Sequence, residues 1–115
     1  MSAALPALLA CQQQSPAEQR VSGGDADSGR EVIAAIECGI CHRIPGILGA
    51  NGVVGPSLDG FGQRQLIAGI VPNRPAVLQQ WVQDAPSLAP DTGMPDLPLS
   101  DNEARDVAAY LYTLR

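Results

Sequence analysis

The ten residues ECGICHRIPG, positions 37–46, place Cys38 and Cys41 three apart and follow them at once with His42, the only histidine of the chain. No other feature limits the fold so strongly. The chain has 115 residues, of which 45% are hydrophobic but only 3% aromatic. A single domain of that size has few large side chains with which to fill a core. Small domains make up such a shortfall with a disulfide, a metal or a large cofactor. Whatever Cys-x-x-Cys-His holds must therefore be a structural part of the molecule as well as a chemical one.

Charge narrows the partners. Seven basic residues, all arginine, face 12 acidic ones for a net charge of −5, and no lysine occurs anywhere. Nucleic acid binding needs a basic stripe to meet phosphates, so it is excluded. No apolar run reaches the roughly 18 residues of a membrane-spanning helix. Residues 1–24 read as a truncated signal or lipobox segment followed by a tether. Leu8-Leu9-Ala10-Cys11 resembles a bacterial lipobox, in which the cysteine is lipidated and becomes the mature N-terminus. Only ten residues, none of them basic, precede Cys11, so the full signal is expected to begin upstream. Residues 12–24, rich in Gln, Ser and Gly with one isolated valine, are expected to be flexible. Such a segment would span on the order of 20 Å.

The domain proper is expected over residues 25–115. Asp25, Asp27 and Ser28 are N-cap candidates for a first helix. Its apolar stripe is Gly29, Val32, Ile33, Ile36 and Ile40, which carries it into the cysteines. Residues 43–62 hold six glycines and two prolines, which predicts a long shaped loop wrapped around something. A helical turn is expected at Arg64–Ala68. A second helix is expected to be capped by Asn73, with Pro75 in its first turn and Val77, Leu78, Trp81 and Val82 inward. Residues 85–99, broken by Pro86, Pro90, Pro95 and Pro98, should be irregular and hold Met94 in a stiff loop. Ser100 and Glu103 form a capping box for a last helix whose stripe is Ala104, Val107, Ala108, Leu111 and Leu114. The result is all-α: three to four helices and long loops, without repeats.

The cysteine cluster can now be weighed against that architecture. Structural zinc needs four ligands, and only Cys11 remains to join Cys38, Cys41 and His42. A thioredoxin-like pair belongs where a strand meets a helix N-terminus, whereas this pair follows a helix. A structural disulfide beside a surface histidine is the plain alternative. Cys-x-x-Cys-His is, however, the attachment signature of a c-type haem. Two thioethers to the vinyl groups fix the ring, and the adjacent imidazole reaches the iron. One covalent haem with its iron supplies the missing core. Lysine is absent and His42 is used, so Met94, the only methionine besides Met1, is the first choice for the second axial ligand. The competing role for Met94 is core filler. His/Met ligation closes both faces of the iron and favours electron transfer over oxygen chemistry.

The segments CGICH, GPSLDGFGQR, LQQWVQDAP, TGMPDL and VAAYLYTL, in that order between Ser28 and Leu114, resemble a class I bacterial cytochrome c. They are similar also to the cytochrome c domains fused to subunit II of haem–copper oxidases. The resemblance implies the cytochrome c fold and an electron-transfer protein rather than an enzyme. It further implies that Pro56 offers its carbonyl to the second ring nitrogen of His42, unless it is simply a turn proline. Leu58 and Phe61 would line the haem pocket, and Arg64 would lie near a propionate or else be a solvated charge. Trp81 falls on the methionine side, either donating its indole N–H or simply packing in the core. Gly29 and Tyr110 correspond to the crossing of the first and last helices, with Ile36 in place of the usual aromatic.

Covalent haem attachment in this family implies a periplasmic protein, with a possible lipid anchor at Cys11. Partners would be redox proteins, such as a quinol–cytochrome c reductase as donor and a terminal oxidase as acceptor. Without lysine they cannot dock on a basic ring; an apolar patch with few charges would serve, since such complexes are small, below about 1,200 Å². Two other roles stay open. One is a haem subunit of a larger oxidase or dehydrogenase complex. The other is a small peroxidase, which would require Met94 to dissociate.

Overall fold

A computed structural model describes residues 18–115. Its helices are α1 (Ala26–Ala35), α2 (Pro75–Leu88) and α3 (Asp101–Leu111), with single 3₁₀ turns at Cys38–Ile40 and Phe61–Gln63. A two-residue antiparallel ladder joins β1 (Leu66–Ile67) to β2 (Val71–Pro72), pairing Leu66 with Pro72 and Ile67 with Val71. The fold is all-α as expected. Cys11 and the first part of the expected tether lie outside the described residues. Among the described residues no helix is long and apolar enough to cross a membrane.

α1 starts because the Asp25 carboxylate accepts the otherwise unpaired N–H groups of Asp27 and Ser28, at 2.9 and 3.2 Å. It buries Gly29 and Ile33. Contrary to expectation, it ends before the cysteines. Ile36 is its C-cap, and Glu37 adopts a left-handed backbone (φ 64°) that turns the chain. Cys38–Ile40 is consequently a separate turn, and Ile40, assigned from periodicity to the buried stripe, is 66% exposed. α3 carries the full capping box: Glu103 N–H donates to Ser100 Oγ (3.1 Å) and Ser100 N–H to Glu103 Oε1 (3.0 Å). The Ser100 N–H first, and the Ser100 side chain after it, hold the Glu103 carboxyl below its ordinary pKa. α3 buries Ala104, Val107, Ala108, Tyr110 and Leu111.

α1 and α3 cross in contact because residue 29 is glycine. A Cβ there would overlap the Asp106 carbonyl and lie 2.9 Å from the Val107 nitrogen, both backbone atoms that cannot swing aside. Beyond the crossing, Tyr110 Oη donates to the Pro45 carbonyl at 2.6 Å, tying the long loop to α3.

Three further expectations are corrected. The helical turn expected at Arg64–Ala68 is replaced by the earlier turn at Phe61–Gln63 and by the hairpin, whose bend runs through Ala68 and Gly69, both with positive φ (52° and 72°). Asn73 is not the N-cap of α2; Arg74 is, with Pro75 at N1. α2 also continues through Pro86 to Leu88, although residues 85–99 were expected to be irregular. Asp84 leaves helical geometry (φ −154°, ψ 72°), so Pro86 enters a new helical turn near its start, where a proline has no N–H to lose.

Residues 18–24 are held against the domain. Gln19 Nε2 donates to the Asn73 carbonyl (2.9 Å), Glu18 pairs with Arg115 (3.7 Å), and Val21 packs on the core. The flexible span read from sequence therefore does not extend over this stretch.

Candidate haem-binding site

The turn that follows α1 presents the cysteines. His42 N–H and Cys41 N–H both donate to the Cys38 carbonyl, at 3.0 and 3.2 Å. The long loop clamps this turn from outside, with Gly52 N–H on the His42 carbonyl (3.2 Å) and Gly55 N–H on the Cys41 carbonyl (2.7 Å). Cys38 and Cys41 form no disulfide with each other. Burial pushes the Cys38 thiol up to about 11, with a smaller upward push from Cys41 set against its own backbone hydrogen bond. A thiol so held stays protonated at neutral pH, which is the opposite of what a redox-active pair requires.

His42 Nδ1 lies 2.7 Å from the Pro56 carbonyl oxygen. A carbonyl can only accept, so Nδ1 carries the proton and Nε2 is the nitrogen with a free lone pair. Gly55 makes this possible: a Cβ at that position would lie 2.8 Å from Nδ1 and closer still to Cε1. Only a residue without a side chain lets the imidazole reach Pro56.

Beside His42 opens a cavity of about 280 Å³, lined by Cys41, His42, Pro56, Leu58, Phe61, Arg64, Trp81 and Met94 among others. A smaller one of about 40 Å³, bordered by Cys38, shares Leu58, Val82, Met94 and Leu111 with it. The two adjoin through these shared walls; eight of the nine site residues named from the sequence border the larger cavity and Cys38 borders the smaller. Periodicity had placed Leu78 and Val82 on the inner face of α2 and Leu111 on that of α3 without assigning them to a site. Ile67 and Ala68 also line the cleft, and no local signal marked them, because the hairpin brings them there.

Arg64 donates through Nη2 to the carbonyls of Ser57 and Asp59, and its guanidinium lies 5.7 Å from the centre of the Phe61 ring. Arg43 pairs with Asp59 (3.1 Å), and their hydrogen bond is the main reason the Asp59 carboxyl sits below its usual pKa. Met94 is held by its loop: its N–H donates to Thr92 Oγ1 (3.2 Å), and Thr92 N–H to the Ala89 carbonyl (3.0 Å). The loop's exit is fixed to α2 where Leu97 N–H meets the Gln83 carbonyl (2.9 Å) and Gln83 Nε2 reaches the Leu99 carbonyl (3.2 Å). Among the described residues no three His, Cys, Asp or Glu side chains gather to hold a bare metal ion. An apolar cleft bordered by two thiols, one imidazole nitrogen and one thioether fits a large flat iron macrocycle far better.

A family model described as cytochrome c matches residues 26–115. The chain belongs to the cytochrome c family. As such it carries a covalently bound haem c with its iron and serves haem-based electron transfer. One relative is the cytochrome c oxidase subunit 2 of Alkalihalophilus pseudofirmus, 33% identical over 91 residues. That match covers 78% of this chain but only 26% of the relative, so the chain spans about a quarter of that protein's length. Among solved structures, cytochrome cH from Methylobacterium extorquens is 25% identical with a TM-score of 0.55, covering 78% of this chain and 99% of that one. Ferric cytochrome c-550 from Paracoccus versutus has a TM-score of 0.60 at 21% identity, covering 79% and 98%. This last likeness speaks to the fold alone, and it agrees with the three-helix arrangement described above.

Proposed function

We propose that this cytochrome is a single-haem, one-electron carrier whose iron is held between His42 and Met94 and which works in a periplasmic respiratory or redox chain. The supporting observation is that the imidazole, oriented by the Pro56 carbonyl, and the Met94 residue border one largely apolar cavity with Cys41, while Cys38 borders the cavity adjoining it. When bound, the haem supplies an Fe(III)/Fe(II) couple that gains or loses one electron. The chain's residues do the rest. Cys38 and Cys41 hold the ring edge, and Pro56 keeps the His42 tautomer and makes the nitrogen more basic. Met94 would supply the second iron ligand, a thioether that favours the ferrous state. Leu58, Phe61 and Trp81 exclude water, and Arg64 places positive charge at the cleft. Two protein ligands leave no open position for peroxide, hence a carrier and not an enzyme.

Val54 borders the cleft at 82% exposure and Val53 beside it is 92% exposed, which suits a small apolar docking contact with a donor such as a quinol–cytochrome c reductase and an acceptor such as a terminal oxidase. Lipidation at Cys11 would keep the carrier on the membrane facing the periplasm. The oxidase subunit relative favours a second reading, a haem subunit within a larger oxidase complex. Purification in mild detergent separates the two, since a carrier leaves without stoichiometric partners. The reading itself is tested by Met94→Ala. The variant should lower the potential and let the ferrous protein bind carbon monoxide, which the parent excludes. A parent that already binds carbon monoxide and turns over peroxide overturns the carrier assignment.

A further inference from the structure

Asn73 is the one buried polar residue among the described residues, 4% exposed. An amide is costly to bury unless its groups are bonded. Here they all are. Asn73 Nδ2 donates to the Arg64 carbonyl at 2.9 Å and more weakly to the Phe61 carbonyl at 3.4 Å. Its Oδ1 accepts from Tyr112 Oη at 2.9 Å. The main-chain N–H reaches the Gln65 carbonyl (2.9 Å), and the main-chain carbonyl receives Gln19 Nε2 (2.9 Å). The amide's orientation is unambiguous, because two carbonyls can only face the NH₂ end. Tyr112 must then be the donor.

The partners are not scattered. Phe61 and Arg64 are the two ends of the 3₁₀ turn that walls the cleft, and both border it. Tyr112 is the C-cap of α3, and its ring lies 6.3 Å from that of Phe61. Gly62 N–H, inside the same turn, donates to the Leu114 carbonyl at 2.6 Å. The turn is thus gripped from behind while its front faces the haem cleft.

We infer that Asn73 is a positioning residue for the haem: its buried carboxamide fixes the Phe61–Arg64 turn against α3, and so sets how closely Phe61 seals the cleft and where the Arg64 guanidinium stands. The inference rests on the haem occupying the cleft as proposed above. Solvent access and nearby charge are main controls on a haem's reduction potential. With Asn73 removed, the Arg64 carbonyl loses its partner and seeks water, while the Phe61 carbonyl keeps only the Arg64 N–H (3.1 Å); the turn loosens and water approaches the ring. The more highly charged ferric state gains, and the potential falls.

The test uses holoprotein with covalent haem: Asn73→Ala, Asn73→Leu, which keeps a branched shape without hydrogen bonds, and Tyr112→Phe. Ala104→Gly, in α3 away from the cleft, serves as a control that loses stability only. His/Met spectra and haem mass should be retained. Both Asn73 variants should shift the electron-exchange equilibrium with a fixed one-electron mediator about tenfold towards the oxidised protein, ~59 mV. Tyr112→Phe should shift it less, in the same direction. Ala104→Gly should lower Tm without a shift. A parent-like potential in Asn73→Leu, or an equal shift in Ala104→Gly, overturns the inference. Should the Asn73 variants fail to mature, an unshifted Tyr112→Phe overturns it as well. A parent lacking a His/Met spectrum sinks the proposed function and this inference together, whereas a normal parent with unshifted variants sinks the inference alone.

Discussion

Replacing Gly29 by alanine sets two effects of opposite sign against each other. Alanine is the better helix former by about 1 kcal/mol in a helix interior, so propensity alone would stabilise α1. Against it stands the crossing with α3, where the new Cβ would overlap the Asp106 carbonyl and approach the Val107 nitrogen to 2.9 Å. Those atoms belong to the α3 backbone, so the helices must part rather than one side chain turn away. Ile33, Val107 and Ala108, exposed by 1%, 2% and 0%, lie in the packing that would open. A gap of about 0.5–1 Å forfeits a quarter to a half of each atomic contact, and overpacking commonly costs about 1–3 kcal/mol. With rigid backbone on both sides the upper figure applies, leaving a net loss of about 2 kcal/mol. For a domain of this size that lowers Tm by about 8–16 °C. The assay is thermal unfolding of the holoprotein followed by far-UV circular dichroism. Ala34→Gly, on the exposed face of the same helix, calibrates the propensity effect in place. If Gly29→Ala instead raises Tm by the ~4–8 °C that propensity predicts, the helices are not in backbone contact and the reasoning fails.

Gly55→Ala should push the His42 ring off the Pro56 carbonyl; losing such a partner typically weakens a metal ligand about 10–100-fold, so added imidazole or cyanide should replace the native ligands at roughly tenfold lower concentration than in the parent, and equal titrations would refute it. Burial raises the Tyr112 hydroxyl from 10.0 to about 12, so its contribution to stability is complete below pH 10 and is lost as pH rises towards 12. The parent's Tm should fall across that window, and in Tyr112→Phe this part of the fall should vanish; identical alkaline profiles would count against the buried phenol. Cys11→Ser in the native host, with its full signal restored, should release the protein from membranes without changing its haem spectrum, because the two or three acyl chains of a lipoprotein hold firmly where one does not. Unchanged membrane association would end the lipoprotein reading.

What the sequence determined by itself was the chemistry and the local rules. Cys38, Cys41 and His42 lie within five consecutive residues, so their meaning needs no fold. The Ser100–Glu103 box and a proline in the first turn of α2 act within one turn of chain and were legible for the same reason, as was a cap among Asp25, Asp27 and Ser28. The stripes of α2 and α3 followed because an apolar face needs only periodicity. Tertiary structure decided what depends on distant partners. Periodicity carried α1 through Ile40, but Glu37 turns the chain aside so that the cysteines can face the cleft. Pro86 signalled a break that Asp84 absorbs two residues earlier. Asn73 carried the composition of a cap, and only the approach of Tyr112, 39 residues away, made it a buried junction. Residues 18–24 had the composition of a tether, yet Gln19 finds a carbonyl 54 residues on. Polar side chains are read locally by default, and a hydrogen bond across the fold overrides that default wherever burial makes an unpaired group costly.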